Sequence, residues 1–197
     1  MRILLVRHGA TLWSANGRHT GRTDLPLTPE GEEEARALAP LLKEFRPAAV
    51  FSSPLERARR TAELAGFSAE VRTDPDLMEW NYGLYEGRTA VEIHKERPAW
   101  DLFRDGVPEG ESLDDVVRRV TRVLDRLRTI EGDILLFAHS HVLRVLVATW
   151  LALPPDTGRH FVLDTGSLSI LGREHLCPAL LSLNTRPSPP NDKESCP

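Results

Sequence analysis

Leu4–Thr11 reads LLVRHGAT, an apolar run that stops at a cation, an imidazole and a glycine. Ile3 to Val6 has the unbroken aliphatic character of a strand covered on both faces. Arg7 and His8 then stand at its carboxyl end, and Gly9 signals a backbone that has to turn. Alone, this fits a strand end with polar residues in solvent. It equally fits a strand delivering a cation and an imidazole to a site.

Working outward, Thr28-Pro29 supplies an N-cap and a proline at the first helical position, followed by EGEEEARALAPLLKEF. Pro40 within that pattern predicts a kink or a division of the helix. Ala48 to Ser52 reads as a second buried strand. Ser53-Pro54-Leu55-Glu56 reads as a capping box that opens a helix to about Ala65. The stretch from Val71 to Pro98 is less regular. Ser112 is an N-cap for a helix whose apolar stripe runs through Val116, Val120, Val123 and Leu127. Ile134 to Ala138 is a third buried strand and Val142 to Leu153 a mostly apolar helix. Phe161 to Leu163, Ser167 to Leu171 and Ala179 to Leu183 are weaker strand candidates. Strands alternating with helices predict a three-layer α/β/α sandwich with a mostly parallel central sheet. Ligands bind such sheets outside the carboxyl ends of the strands. Arg7 and His8, Arg57, and His139 all fall at that edge, from three separate segments.

Bulk composition sets the limits. The chain has 197 residues, 41% hydrophobic and 27% charged, enough for one domain with a sizeable core. Its net charge of −4 offers no basic field for nucleic acid or an anionic membrane surface. No apolar run approaches the roughly 20 residues of a bilayer span, and the first residues lack a leader pattern, so a cytoplasmic protein is expected. Cys177 and Cys196 form no metal-ligand spacing, and no structural disulfide is expected. One domain over residues 1–184 is expected, with a disordered proline-rich tail over 185–197.

Three further signals bear on chemistry. Arg57 belongs to Glu56–Arg60 (ERARR), which reads as a solvated helix face except that Arg57 sits in the first turn, where amide groups favour an anion. His139 and His141 form an H-x-H pair that could ligate zinc, but no carboxylate or cysteine stands close in sequence and the other site candidates are cations. Leu77–Gly87 (LMEWNYGLYEG) supplies an acid: Glu79 lies between Met78 and Trp80, an apolar setting that favours a protonated carboxyl, with Glu86 competing for the role. Two histidines, two arginines and a carboxylic acid suit phosphoryl transfer. Arginines hold the phosphoryl oxygens, an imidazole attacks phosphorus, and an acid protonates the departing alcohol.

In the same order along the chain, LVRHGAT, NGRHTGRTDLPLTPEG, SSPLERARRTA, LMEWNYGLYEG and LLFAHSHVLRVL resemble the motifs of the histidine phosphatase superfamily, the phosphoglycerate-mutase-like proteins. The resemblance runs to about Leu171. It implies a phosphohistidine on His8, phosphoryl binding by Arg7, Arg57 and His139, phosphate or substrate contacts from Asn16 and the Thr20–Gly21 backbone, and proton donation by Glu79. It implies no metal and no cofactor. The residue after the second histidine is often glycine in that family, and Ser140 stands there.

Relatives include both phosphatases and cofactor-dependent mutases. The short segment between Gly87 and Glu111 holds only Arg88, Lys95, Arg97 and Arg104 as fixed cations, which favours a phosphatase of sugar phosphates or a broad acid phosphatase. A phosphoglycerate mutase is the main alternative; a metal-dependent hydrolase and a non-catalytic phosphate-binding module are weaker ones. The expected partner is a small phosphomonoester, with Trp13, His19, Arg22, Trp80 and Tyr82 as candidates to line its non-phosphate part. Dimers are frequent in the family, so a homodimer is open. A need for protonated Glu79 predicts an acidic to near-neutral optimum.

Overall fold

A computed structural model describes residues 1–69 and 71–187. In chain order the elements are β1 (Ile3–Arg7), α1 (Leu12–Ala15), α2 (Pro29–Leu42), β2 (Ala49–Ser52), α3 (Glu56–Leu64) and β3 (Val71–Thr73). There follow α4 (Ala90–Glu96), α5 (Leu102–Asp105), α6 (Leu113–Leu127), β4 (Ile134–Ala138), α7 (Ser140–Trp150), β5 (Leu168–Glu174) and β6 (Cys177–Thr185). The six strands form one sheet in the order β3-β2-β4-β1-β5-β6. The first four run parallel, while β5 and β6 pair antiparallel at one side.

The unbroken apolar strands are explained by burial on both faces. Leu4, Val6, Val50, Leu135 and Phe137 pack with Leu38 and Leu42 of α2 and Ala62 of α3. Their alternates Ile3, Leu5, Ile134, Leu136 and Ala138 pack on the other side with Val116, Val120 and Val123 of α6 and Val142, Leu143 and Leu146 of α7. A side-chain period of two thus feeds two cores from the same strands, and the sheet is sandwiched as the sequence predicts. β1 and β4 lie adjacent, in register from Ile3 with Ile134 to Arg7 with Ala138, so Arg7-His8 and His139 leave the sheet side by side.

Gly9 is required by proximity. A β-carbon there would lie 2.1 Å from the carbonyl oxygen of Gly31, and one at Gly31 would lie 2.0 Å from that of Ala10. Two backbones touch, so neither position accepts a side chain. The turn is further held by the Gly9 N–H donating to Thr61 Oγ1 at 3.0 Å and the Ala10 N–H donating to Glu34 Oε2 at 2.9 Å.

Several expectations are corrected. Pro40 does not divide α2, which runs unbroken to Leu42. The proline sits in the last turn, where little helix remains to break. Ser53 is not the N-cap of α3: Leu55 is, and the Ser53 hydroxyl accepts the Leu55 N–H at 3.3 Å while also accepting from His139. Phe161–Leu163 forms no strand, because Leu163 turns its carbonyl to the Arg7 side chain. β3 is a three-residue strand in the stretch that showed no pattern. β6 ends at Thr185, and Arg186 pairs with Glu34 at 3.3 Å. The rest of the expected tail, 188–197, lies outside the described residues.

Candidate active site

β1 delivers His8, which is 4% exposed. Its Nδ1 lies 2.7 Å from the Gly9 carbonyl oxygen, an acceptor only, so Nδ1 carries the hydrogen and Nε2 keeps its lone pair. Burial holds the His8 pKa well below its usual value, and the Arg57 and Arg7 charges push the same way. The imidazole is neutral with a fixed tautomer.

Arg57, fully buried at the start of α3, lies behind that imidazole. Its Nε donates to His139 Nδ1 at 3.1 Å, Nη1 to the Thr23 carbonyl at 2.9 Å, and Nη2 to the Thr20 and Gly21 carbonyls at 3.2 and 2.9 Å. Because His139 Nδ1 accepts from a guanidinium, its hydrogen sits on Nε2, which donates to Ser53 Oγ at 2.8 Å. Burial, then the Arg57 charge, keeps His139 neutral. The His8 and His139 rings meet edge to face with centroids 5.0 Å apart.

Glu79 is buried at the start of α7. Its Oε1 accepts from the N–H groups of Trp80 and Val142 at 2.9 Å each, and Oε2 accepts from the His141 N–H at 3.0 Å. The apolar setting expected from Met78 and Trp80 is therefore corrected: backbone amides surround this carboxyl, two on Oε1 and one on Oε2. Arg119 of α6 pins the segment by donating to the Asp76 and Met78 carbonyls at 2.8 and 2.6 Å and to Glu111 at 2.8 Å. Glu86 plays a different part. Its Oε1 accepts the Gly21 and Thr23 N–H groups at 2.9 and 3.0 Å, fastening the loop whose carbonyls hold Arg57.

These groups border a cleft of about 180 Å³, reached by Arg7, His8, Thr20, Glu79, Ser140 and Arg144 among others. Not every expected contact reaches it. Arg57 and His139 stand behind its wall with their donors largely engaged. Asn16 is exposed and does not line the cleft, and the Gly21 N–H is committed to Glu86. Of the residues expected to line the outer part, His19 and Tyr82 do so. Trp80 is instead a core residue with its indole N–H on the Glu111 carbonyl, Arg22 turns to Glu111, and Trp13 packs under Gly87. Sequence reading missed Ser53, Arg119, Arg144 and the cleft-facing role of His141. A polar triplet Ser140, His141 and Arg144 at helical spacing in an otherwise apolar α7 was the available signal.

His139 and His141 do not converge as a metal pair. The first turns to Ser53 and Arg57, and the second has Nδ1 2.6 Å from the Tyr82 hydroxyl. Among the described residues no group of three or more His, Cys, Asp or Glu could hold a metal ion, and no helix is long and apolar enough to cross a membrane.

The neutral imidazoles, two buried and one half-buried, carry a stability signature. His8, His139 and His141 all have pKa values well below the ordinary histidine value, with burial first among the causes. As pH falls below about 6.5 the unfolded chain takes up protons that the folded chain refuses, so stability drops. Each such group adds a slope of up to about 1.4 kcal/mol per pH unit until its folded pKa is reached. Thermal melts should therefore show the midpoint falling from pH 7 to 5, and a flat midpoint across that window contradicts neutral buried rings.

The profile of the histidine phosphatase superfamily (branch 1) matches residues 3–186. An acid phosphatase of Mycobacterium tuberculosis is 38% identical over 196 residues, covering 95% of each chain. A probable phosphoglycerate mutase of Erwinia tasmaniensis is 34% identical over 179 residues, 86% of this chain and 83% of its own. The solved structure of a Mycobacterium tuberculosis open reading frame product superposes with a TM-score of 0.90 at 36% identity, covering 95% of this chain and 98% of its own. The sheet edge, the motif order and the whole-length likeness agree: this chain belongs to the histidine phosphatase superfamily, branch 1, and is a phosphatase.

Proposed function

We propose that the protein hydrolyses small phosphomonoesters through a phosphohistidine on His8. One observation carries this reading. Among the described residues, three buried side-chain polar atoms have no protein partner, namely Arg7 Nε, Ser140 Oγ and Arg144 Nε, and all three residues line the cleft beside His8. Buried donors left unpaired are rare and costly, and donors in one cleft are the complement of an oxyanion.

In the first step His8 Nε2 forms a bond to phosphorus while the bond from phosphorus to the alcohol oxygen breaks, and that oxygen takes the proton from Glu79. In the second, a water oxygen attacks phosphorus, its proton passes to the Glu79 carboxylate, and the P–N electron pair returns to Nε2. Arg7 and Ser140 hold the phosphoryl oxygens. Arg57 adds charge from behind, and His139 joins them when its Nε2–H exchanges Ser53 for a phosphate oxygen. The small cleft favours compact substrates. An acidic to near-neutral optimum follows from the proton needed on Glu79; activity still rising far into the alkaline range contradicts this role.

Glu79→Gln should slow hydrolysis of alkyl phosphates by about 10²–10⁴-fold, and of p-nitrophenyl phosphate far less, because nitrophenolate departs without a proton. Equal losses on both substrates would remove Glu79 as the acid. Rapid acid quench of enzyme mixed with a panel of sugar phosphates, phosphoglycerates and an aryl phosphate tests the whole reading. A phosphoryl group on the peptide containing His8 supports it, and robust turnover without that label defeats it. Assaying 3-phosphoglycerate with and without a bisphosphate primer separates hydrolysis from mutase turnover.

A further inference from the structure

The cleft is more cationic than one phosphoryl group requires. Arg7 and Arg144 line it with Arg57 behind the wall, while the third lining cation, Arg18, is paired with Glu92 at 3.5 Å. The single lining carboxylate, Glu79, is the acid of the proposed reaction, and a phosphoryl dianion offsets two of the three remaining charges.

Arg144 is the cation left over. Its Nε is buried without a protein partner, and among the described residues no carboxylate forms an ion pair with it. Burial lowers its pKa, with Glu79, Tyr82 and Asp164 opposing the shift. Arg144 lies on α7 with His141, which lines the same cleft together with His19 and Tyr82.

These side chains have a defined hydrogen-bonding pattern. Burial keeps the Tyr82 phenol protonated, and its hydroxyl lies 2.6 Å from His141 Nδ1. That hydroxyl and Nδ1 share one hydrogen bond, and among the described residues no protein group engages His141 Nε2. His19 stacks on His141 with ring centroids 6.4 Å apart, its own Nδ1–H fixed on the Arg88 carbonyl at 2.9 Å. His141 and Arg144 are three residues apart on α7 and so share a helix face.

We infer that Arg144 and His141 form a second oxyanion subsite in this cleft, which binds a carboxylate or phosphate carried by the same substrate a few atoms from the phosphoryl group that is transferred. The preferred substrates are compact phosphomonoesters with a second acidic group. This inference rests on the phosphohistidine reading above.

The test compares kcat/KM for glycerol 3-phosphate, 3-phosphoglycerate and propane-1,3-diol bisphosphate. Wild-type protein should favour one or both acidic substrates over glycerol 3-phosphate, and which of the two is favoured identifies the second group as carboxylate or phosphate. Arg144→Ala should reduce that preference about tenfold or more, with Arg144→Lys keeping part of it. The preference is a ratio within each variant, so a general loss of activity does not imitate the effect. An absent preference in wild type, or an unchanged ratio in Arg144→Ala, overturns the subsite. Should Arg144→Ala fail to fold, the wild-type preference must weaken as ionic strength rises, and a salt-independent preference overturns it as well. Robust turnover with His8 labelled but no preference defeats this inference alone, whereas turnover without the label defeats the reading beneath it.

Discussion

His8→Ala should lower turnover by on the order of 10⁴-fold or more and accept no phosphoryl group after acid quench. The size follows from the absence of a substitute. His139 has both ring nitrogens engaged by Arg57 and Ser53, and His141 Nδ1 faces the Tyr82 hydroxyl. His8 lines the cleft together with Arg7, its Nδ1 anchored on Gly9 and its Nε2 lone pair free. Removing a buried, neutral ring also removes a group that resists protonation, so the acid-side loss of thermal stability should be smaller in this variant. A His8→Ala protein with more than a few per cent of wild-type activity on an alkyl phosphate rules out the covalent route.

Arg57→Met should be the most damaging change to fold and activity together. The guanidinium is fully buried and satisfies three loop carbonyls, those of Thr20, Gly21 and Thr23, together with His139. An unpaired buried acceptor costs about 1–3 kcal/mol, and the half-buried Thr20 and Thr23 carbonyls recover part of theirs from water, so a loss of about 3 kcal/mol is expected. For a domain of this size that lowers the melting midpoint by roughly 6–12 °C. Activity should fall about 10³-fold, because charge behind the phosphoryl group and the orientation of His139 go together. Arg57→Lys should rescue little of either, since one ammonium cannot serve four acceptors fixed in a plane. A lysine variant close to wild type in melting and kinetics would show that charge alone matters at this position.

The parts of the fold that could be read in advance are those written in local chemistry. Strands buried on both faces show as aliphatic runs, so β1, β2 and β4 and their shared edge were visible. Thr28-Pro29 and Ser112 mark helix starts by hydrogen bonds to nearby amides. The failures have the opposite character. β3 is a three-residue strand formed because it pairs with β2, not because of its own residues. Ser53 resembles a cap by spacing, yet its hydroxyl is claimed by His139 from another strand. Proton-donor chemistry could be placed on Glu79, but not its surroundings, which come from amides more than sixty residues away. Arg144 was overlooked because its spacing from Ser140 and His141 marks a polar face of α7, and only the assembled fold turns that face to the cleft.

α7 does two jobs with one rigid body. The His141 and Val142 amides grip the Glu79 carboxylate, while the side chains of His141 and, one turn along, Arg144 line the same cleft. Any sequence change that tilts or slides this helix to suit a different substrate will also re-aim the proton. Selectivity and acid catalysis are thus mechanically linked, and evolving a new preference here calls for swaps at the tips of side chains, with the helix axis left where it is.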